Sequence, residues 1–216
     1  VPSFSKVIQY IKNNWEVYGA IIIGNSCLII LLYGLQSWVP TMLLRVYEWD
    51  LVQSGRVYGS IAMLAGSAGV LSGPFVLRYM SKINVNAPHF KLAIFGISMA
   101  SFSLVLLPFQ PNVNIALVFV TMASFFVTLP LAGTSSAMVI VSPNRIRGVI
   151  TGIYVVVTSV FGLVLGPFLV ASSTDFIFQD TNAVAKSLAL VSVLVGPVGI
   201  FFMFKGINSF GEIKNV

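Results

Sequence analysis

Long uncharged runs alternate with short polar clusters along this chain, at 17–44, 57–77, 92–144, 148–174 and 187–204. Crossing a hydrocarbon layer about 30 Å thick takes about 20 helical residues at about 1.5 Å each. Four runs have the length of one crossing, and 92–144 has the length of two. Inside that longest run, Pro108-Phe109-Gln110-Pro111-Asn112-Val113-Asn114 gathers turn formers and divides it. The pattern predicts six helices, near 18–44, 53–80, 90–109, 114–141, 148–173 and 184–205. No run alternates with period two as a barrel strand does, and backbone groups in lipid must bond within their own segment. The predicted fold class is therefore all-α integral membrane, with six transmembrane helices.

Ahead of the first run, Phe4, Val7, Ile8, Ile11 and Trp15 recur at helical spacing, with Ser5, Lys6, Gln9, Lys12 and Asn13 between them. Residues 1–16 read as an amphipathic linker helix lying at the cytoplasmic interface. A linker helix that simply packs on the rest of the protein is the other reading. Residues 17–206 read as one lobe with halves near 17–110 and 111–206, and 207–216 as a cytoplasmic tail.

Composition agrees with lipid as the main solvent. The chain is 57% apolar and 8% charged, with mean hydropathy +0.95, whereas a soluble domain carries about 25% charged residues. The net charge of +6 is strung between apolar runs rather than gathered on a face, so nucleic acid is not expected as a partner. Cys27 is the only cysteine, which leaves no disulfide framework. The chain opens at Val1 rather than Met, without the form of a signal peptide, and reads as a processed or truncated chain or a piece of a longer one.

The connections alternate in charge. One set carries nine basic residues (Lys6, Lys12, Arg78, Lys82, Lys91, Arg145, Arg147, Lys205 and Lys214), and the other carries three (Arg45, Arg56 and Lys186). Basic residues favour the cytoplasmic side, which places both termini there. The expectation is a multi-pass protein of the cell (inner or plasma) membrane, with the lipid bilayer as its first partner.

The second and fifth runs share a pattern without a gap. Gly55-x3-Gly59-x9-Gly69-x3-Gly73-Pro74-Phe75 matches Gly148-x3-Gly152-x9-Gly162-x3-Gly166-Pro167-Phe168 at an offset of 93 residues. An odd number of spans separates the copies, so they cross the membrane in opposite directions. Three-plus-three inverted repeats build each half of a major facilitator transporter. Glycines four apart allow close helix approach, and Gly-Pro late in a span interrupts and bends a helix. Gly69, Gly73, Pro74, Gly162, Gly166 and Pro167 are the candidate gating or hinge residues, with tight packing as their plainer role.

The stretch Pro143-Asn144-Arg145-Ile146-Arg147-Gly148-Val149-Ile150-Thr151-Gly152-Ile153-Tyr154 then brings a family into view. With Gly162-Leu163-Val164-Leu165-Gly166-Pro167 and Asp175-Phe176-Ile177-Phe178, it resembles the spinster-like branch of the major facilitator superfamily. Trp38-Val39-Pro40 is also similar to that branch and to its organic-anion relatives. The resemblance covers essentially the whole chain, as the C-terminal six spans of twelve. It implies the N-terminal six-helix half of the same transporter as a partner, and a small amphiphilic solute such as a lysolipid or organic anion as cargo. Gly73-Pro74-Phe75-Val76-Leu77-Arg78-Tyr79-Met80-Ser81-Lys82 resembles the family's cytoplasmic loop motif, in which Gly73, Arg78 and Lys82 survive. Leu77 stands at the motif's Asp position, so the charge latch it normally forms is not expected here. Arg78 and Lys82, like Arg145 and Arg147, also serve as plain positive-inside anchors.

No charged residue falls near a predicted midplane, although such residues usually mark ion coupling. Any proton-coupling carboxylate is expected in the N-terminal half. No nucleophile–base pair, metal-ligand spacing, cofactor motif or phosphate loop is present, so neither an enzyme, a cofactor nor a metal is expected. Neutral polar residues remain as candidates for a solute cavity: Asn25, Tyr33, Gln36 and Ser37 on the first span, Thr128 and Thr134 with Ser135 and Ser136 on the fourth, and Tyr154, Thr158 and Ser159 on the fifth. Ser and Thr also bond their own helix backbone, whereas Asn, Gln and Tyr cost more to leave in lipid. The leading expectation is half of a secondary transporter working by alternating access. The alternative is a non-transporting six-span partner or scaffold derived from such a lobe.

Overall fold

The computed structural model describes residues 4–214, with side chains described from Ser5 to Phe210. The sidedness expected for Val1 and Val216, the Phe4 contact of the amphipathic stripe and the Lys214 side chain therefore lie outside what is described. Among the described residues the chain is helical with no strand, and six helical segments are long and apolar enough to cross a membrane. In chain order the helices are α1 (Phe4–Asn13), α2 (Trp15–Val46), α3 (Leu51–Ile61), α4 (Ser67–Lys82), α5 (Pro88–Leu106), α6 (Val113–Thr128), α7 (Leu131–Val141), α8 (Arg147–Ser172) and α9 (Val184–Lys214). The first, third and sixth spans are α2, α5 and α9. The second joins α3 to α4, the fourth α6 to α7, and the fifth is α8 with its final turns.

Local chemistry sets several boundaries. Asp50 caps α3 by accepting a bond from the Gln53 amide at 2.8 Å, and Asn112 accepts from the Asn114 amide at 2.8 Å where α6 begins. Pro88 opens α5, where its missing N–H is not needed. Tyr47, just past the end of α2, donates to the Gln110 carbonyl at 2.7 Å and ties two turns together. Burial raises its phenol pKa above the usual value, so it stays a donor.

Three spans contain irregular turns that the pattern did not predict. A wide π turn, Ala62–Gly66, interrupts the second span, and Ser173–Phe178 ends the fifth in the same way. The fourth span breaks between α6 and α7, at Leu129 and Pro130. Pro130 supplies the reason, since its ring removes an N–H and crowds the carbonyl four residues back, that of Phe126. By contrast, α4 runs through Pro74 and α8 through Pro167, so the helix is not broken at the Gly-Pro pairs themselves. The sixth helix also continues beyond residue 205 to Lys214, with Phe210 buried edge-on against Phe90.

The first span is the centre of the lobe, with 72% of its apolar window buried, against 22% for the second span and 28% for the fifth. The matched glycines explain how those two spans attach. A Cβ on Gly69 would strike Thr128 and the Phe125 carbonyl, and one on Gly73 would strike the Leu129 carbonyl. In the other copy, a Cβ on Gly162 would strike Ile29, and one on Gly166 would lie 2.7 Å from the Ile30 carbonyl and 3.0 Å from the Gly34 amide. The second span thus presses on the fourth, and the fifth on the first. Trp38 donates to the Pro167 carbonyl at 3.0 Å and fixes the second of these contacts. Each repeat contributes a glycine helix to the opening helix of the other, as an inverted pair requires.

The remaining glycines of the pattern, Gly55, Gly59, Gly148 and Gly152, have no heavy atom within 4 Å of an added Cβ. Close packing therefore uses only the later pair of each copy.

Before the first span, Val7 and Ile11 of α1 are buried while Lys6, Gln9 and Lys12 are exposed. The helix packs on the lobe through that one stripe.

Gly166→Ala is expected to destabilise the lobe by about 1–3 kcal/mol through backbone overpacking, and Gly59→Ala to leave it within about 0.5 kcal/mol. Thermal unfolding of the detergent-solubilised protein compares them. Equal melting temperatures for the two variants would refute the division between tight and open glycines.

Candidate solute cavity

A cavity of about 480 Å³ lies between the first, second and fourth spans. Its polar lining is Gln36 from α2, Tyr58 from α3, Ser67 from α4, and Ser124 and Thr128 from α6. Leu32, Ala62, Val70, Leu71 and Leu131 supply an apolar remainder. The π turn forms part of the wall, and such turns often occur at functional sites. Gln36 and Leu71 are exposed, whereas Tyr58 and Ser124 are buried.

Hydroxyl satisfaction distinguishes these residues. Thr128 Oγ1 lies 3.0 Å from both the Gly66 carbonyl at the end of the π turn and the Ser124 carbonyl of its own helix, and shares its proton between them. The Ser124 hydroxyl is buried and interacts with the Tyr58 side chain, while Ser54 Oγ, one turn before Tyr58, is buried without a hydrogen-bond partner. An unsatisfied buried hydroxyl costs about 1–3 kcal/mol. Ser124 and Tyr58 thus form a polar pair in the wall of the cavity.

The candidates from the sequence separate into three groups. Gln36 and Thr128 line this cavity. Asn25 and Thr134 meet elsewhere, with the Thr134 hydroxyl donating to Asn25 Oδ1 at 2.7 Å, both side chains being buried. Beside them the Tyr154 hydroxyl lies 3.4 Å from Ser135 Oγ. That cluster joins the first, fourth and fifth spans. The third group lies in neither place. Tyr33 faces Gly162 and Gly166, while Thr158 donates to the Tyr154 carbonyl at 2.8 Å. Ser37 is exposed and Ser159 partly buried, outside the cavity lining.

Tyr58, Ser67 and Ser124 were missed in the sequence. Two signals were available: Tyr58 stands between Gly55 and Gly59, and Ser124 precedes Thr128 by four residues on one helix face.

The loop motif also acquires a physical reading. Arg78, Lys82 and Arg145 are exposed, and Arg147 donates from Nε to the Ser142 carbonyl at 3.2 Å. Leu77, at the position of the motif's Asp, is buried in a small core with Leu92 and Leu129. A carboxylate there would be desolvated without a partner.

Among the described residues, no Asp, Glu, Lys, Arg or His side chain is buried, and the buried polar residues are Asn, Ser and Thr. The cavity can thus hold a molecule by hydrogen bonds and apolar contact, and offers no buried charge to one.

Comparison with known proteins gives the lobe its place. A family model described as Major Facilitator Superfamily matches residues 2–167. The fold is similar to that of a bacterial homologue of the human lysosomal transporter Spinster, in an inward-facing and unoccupied conformation. The TM-score is 0.68 at 12% identity, covering 99% of this chain and 50% of that one. A second structure of a bacterial Spinster homologue, inward-facing and occupied, gives a TM-score of 0.57 at 13% identity, covering 93% of this chain and 49% of that one. The chain thus spans about half the length of these two structures. No curated protein matches it. The family model covers most of the chain, and six apolar spans pack as paired repeats: this multi-pass membrane protein belongs to the Major Facilitator Superfamily.

Proposed function

We propose that this chain is the C-terminal half of a spinster-like secondary transporter, and that the cavity between its first, second and fourth spans is its share of the solute path. The observation that carries the reading is the cavity's mixed lining, five neutral polar side chains against an apolar remainder, with Tyr58 and Ser124 paired in its wall. Such a surface suits a solute with an apolar body and a hydrogen-bonding head, such as a lysolipid or an amphiphilic organic anion. The likeness to the Spinster homologues, of which this chain spans about half, supports the reading as one lobe of a transporter. With no buried charge in this lobe, a coupling carboxylate belongs in the N-terminal half.

The open glycines support a two-lobe protein. Gly55 and Gly59, with Gly148 and Gly152, leave a smooth face on the two least buried spans, and such faces admit close helix contact. The N-terminal half is the partner proposed for it, with alternating access arising as the lobes rock. Both termini are proposed to be cytoplasmic, in the cell membrane, from the nine-to-three distribution of basic residues.

Sidedness can be read by labelling. Cys27 is buried, so a cysteine introduced at Asn112 or Asn86 reports with little background. An impermeant maleimide applied to intact cells should label Asn112→Cys and not Asn86→Cys. The opposite pattern would overturn the orientation.

Transport is tested on the complete protein in proteoliposomes. Removing one hydrogen bond to solute with Tyr58→Phe or Ser124→Ala should raise the KM for lysophosphatidylcholine or an amphiphilic sulfonate up to about tenfold, the equivalent of about 1.4 kcal/mol. Unchanged KM in both variants would remove the cavity from the solute path.

The 216-residue chain alone should show no saturable, gradient-driven uptake of these probes. Co-reconstitution with the N-terminal half should restore it. A complete protein that carries no solute, yet assembles with another membrane protein, would favour the scaffold reading instead.

A further inference from the structure

A second cavity, of about 440 Å³, lies on the other side of the second span, between it and the third and fourth. We infer that it seats an anionic phospholipid of the surrounding leaflet, one acyl chain in the crevice and the headgroup phosphate at Lys91. This site is separate from the solute cavity, and the lipid is a resident ligand rather than cargo.

The crevice follows from how the neighbouring spans touch the fourth. The second span reaches it through Gly73, against the Leu129 carbonyl. The third reaches it through Gly96, where a Cβ would lie 2.7 Å from the Phe126 carbonyl. Both contacts fall at the break around Pro130, and a trough remains between the two spans. Val76 and Met80 form one wall, Leu92 and Phe95 the other, and Phe126 lies against Phe95 edge-on at 5.6 Å. From Met80 to Ser72 the trough runs about 12 Å at 1.5 Å per residue, most of one leaflet's half of the roughly 30 Å hydrocarbon layer. Phe95 is 48% exposed at its edge, and Phe102, two turns along the same face, is 53% exposed. That outward face is apolar, as a lipid-facing surface is.

Charge identifies the headgroup. Only Ser72 and Lys91 among the lining residues are polar, and Lys91 stands one turn before Phe95, at the headgroup end of the trough. From Leu51 to Thr174 the chain holds no Asp or Glu, but has Arg56, Arg78, Lys82, Lys91, Arg145 and Arg147. All but Arg56 belong to connections on the side of Lys91. An apolar trough ending at an exposed lysine, on a face with uncompensated positive charge, complements an acidic lipid. Near an anionic surface one lysine contributes about a fivefold preference.

The complete protein, purified in mild detergent, should be titrated with dioleoylphosphatidylglycerol and dioleoylphosphatidylcholine, with bound lipid counted by native mass spectrometry and thermal unfolding followed in parallel. The phosphatidylglycerol is expected to bind about fivefold more tightly. Lys91→Gln should abolish that preference while leaving phosphatidylcholine binding unchanged, and Val76→Trp, which fills the trough, should weaken both lipids. Equal binding of the two lipids, a preference that survives Lys91→Gln, or binding indifferent to Val76→Trp would each overturn the assignment. Tyr58→Phe serves as the control, because its effect on uptake should leave lipid retention untouched.

Discussion

A backbone in hydrocarbon has no water to bond, so every irregular turn in a span must be accommodated by a neighbouring helix. Four of the six spans contain or end in such turns, counting the short 3-10 turn Leu107–Phe109 that closes the third, and three of them shape the packing of this lobe. At the end of the π turn in the second span, the Gly66 carbonyl meets the Thr128 hydroxyl of the fourth. Two residues later the fourth span itself breaks, and the Phe126 carbonyl that Pro130 deprives of its usual donor faces Gly96 of the third. In the final turns of the fifth span, the Thr174 hydroxyl lies 2.9 Å from the Val170 carbonyl and 2.8 Å from Ser187 of the sixth. Glycine is needed where one backbone approaches another this closely, and a hydroxyl where a carbonyl turns outward. These two residue types hold the interruptions in place.

The same contacts give the second and fifth spans a tight glycine stretch and an open one. The later glycines of the second and fifth spans are pressed against other backbones, while the earlier ones face open space. The open glycines mark one face only, because Ser54 and Tyr58 on the second span and Ile150 and Tyr154 on the fifth are buried along the same stretches. The cavity between the first, second and fourth spans lies at Tyr58 and the π turn and also touches Thr128, which holds that turn to the fourth span.

The spans were legible in the sequence because the cost of an unpaired charge in lipid leaves long uncharged runs, and each predicted helix starts within a few residues of its observed limit, while the sixth runs on past 205. The repeat was legible because glycines at backbone contacts have no substitute. Positions of the turns were less so. Pro130 was visible but sits in an apolar run that reads as continuous, whereas Pro74 and Pro167 attracted attention and leave their helices unbroken. The polar residues were hardest to place, because a Ser or Thr in a span has the same appearance whether it bonds its own helix, as Thr158 does, or lines a cavity, as Ser124 does. Only the relative rotation of the helices decides between them, and hydrophobic periodicity is weak where lipid and protein interior are alike apolar.

Leu77 carries the loss of the family's loop carboxylate to its consequence. The Asp position of the motif points here into a small apolar core, with Leu92 and Leu129 as neighbours. Once leucine fills that site, restoring the carboxylate would require either a buried unpaired charge or a rearranged junction between the second and fourth spans. Arg78 and Lys82 therefore lack the acidic residue that the motif carries beside them, and their charge is left for groups outside this hairpin. Since no acidic residue occurs anywhere from Leu51 to Thr174, the basic face between these spans is not compensated from within them. Where the full motif would place a carboxylate, this lobe presents basic side chains with no acidic residue from these spans beside them.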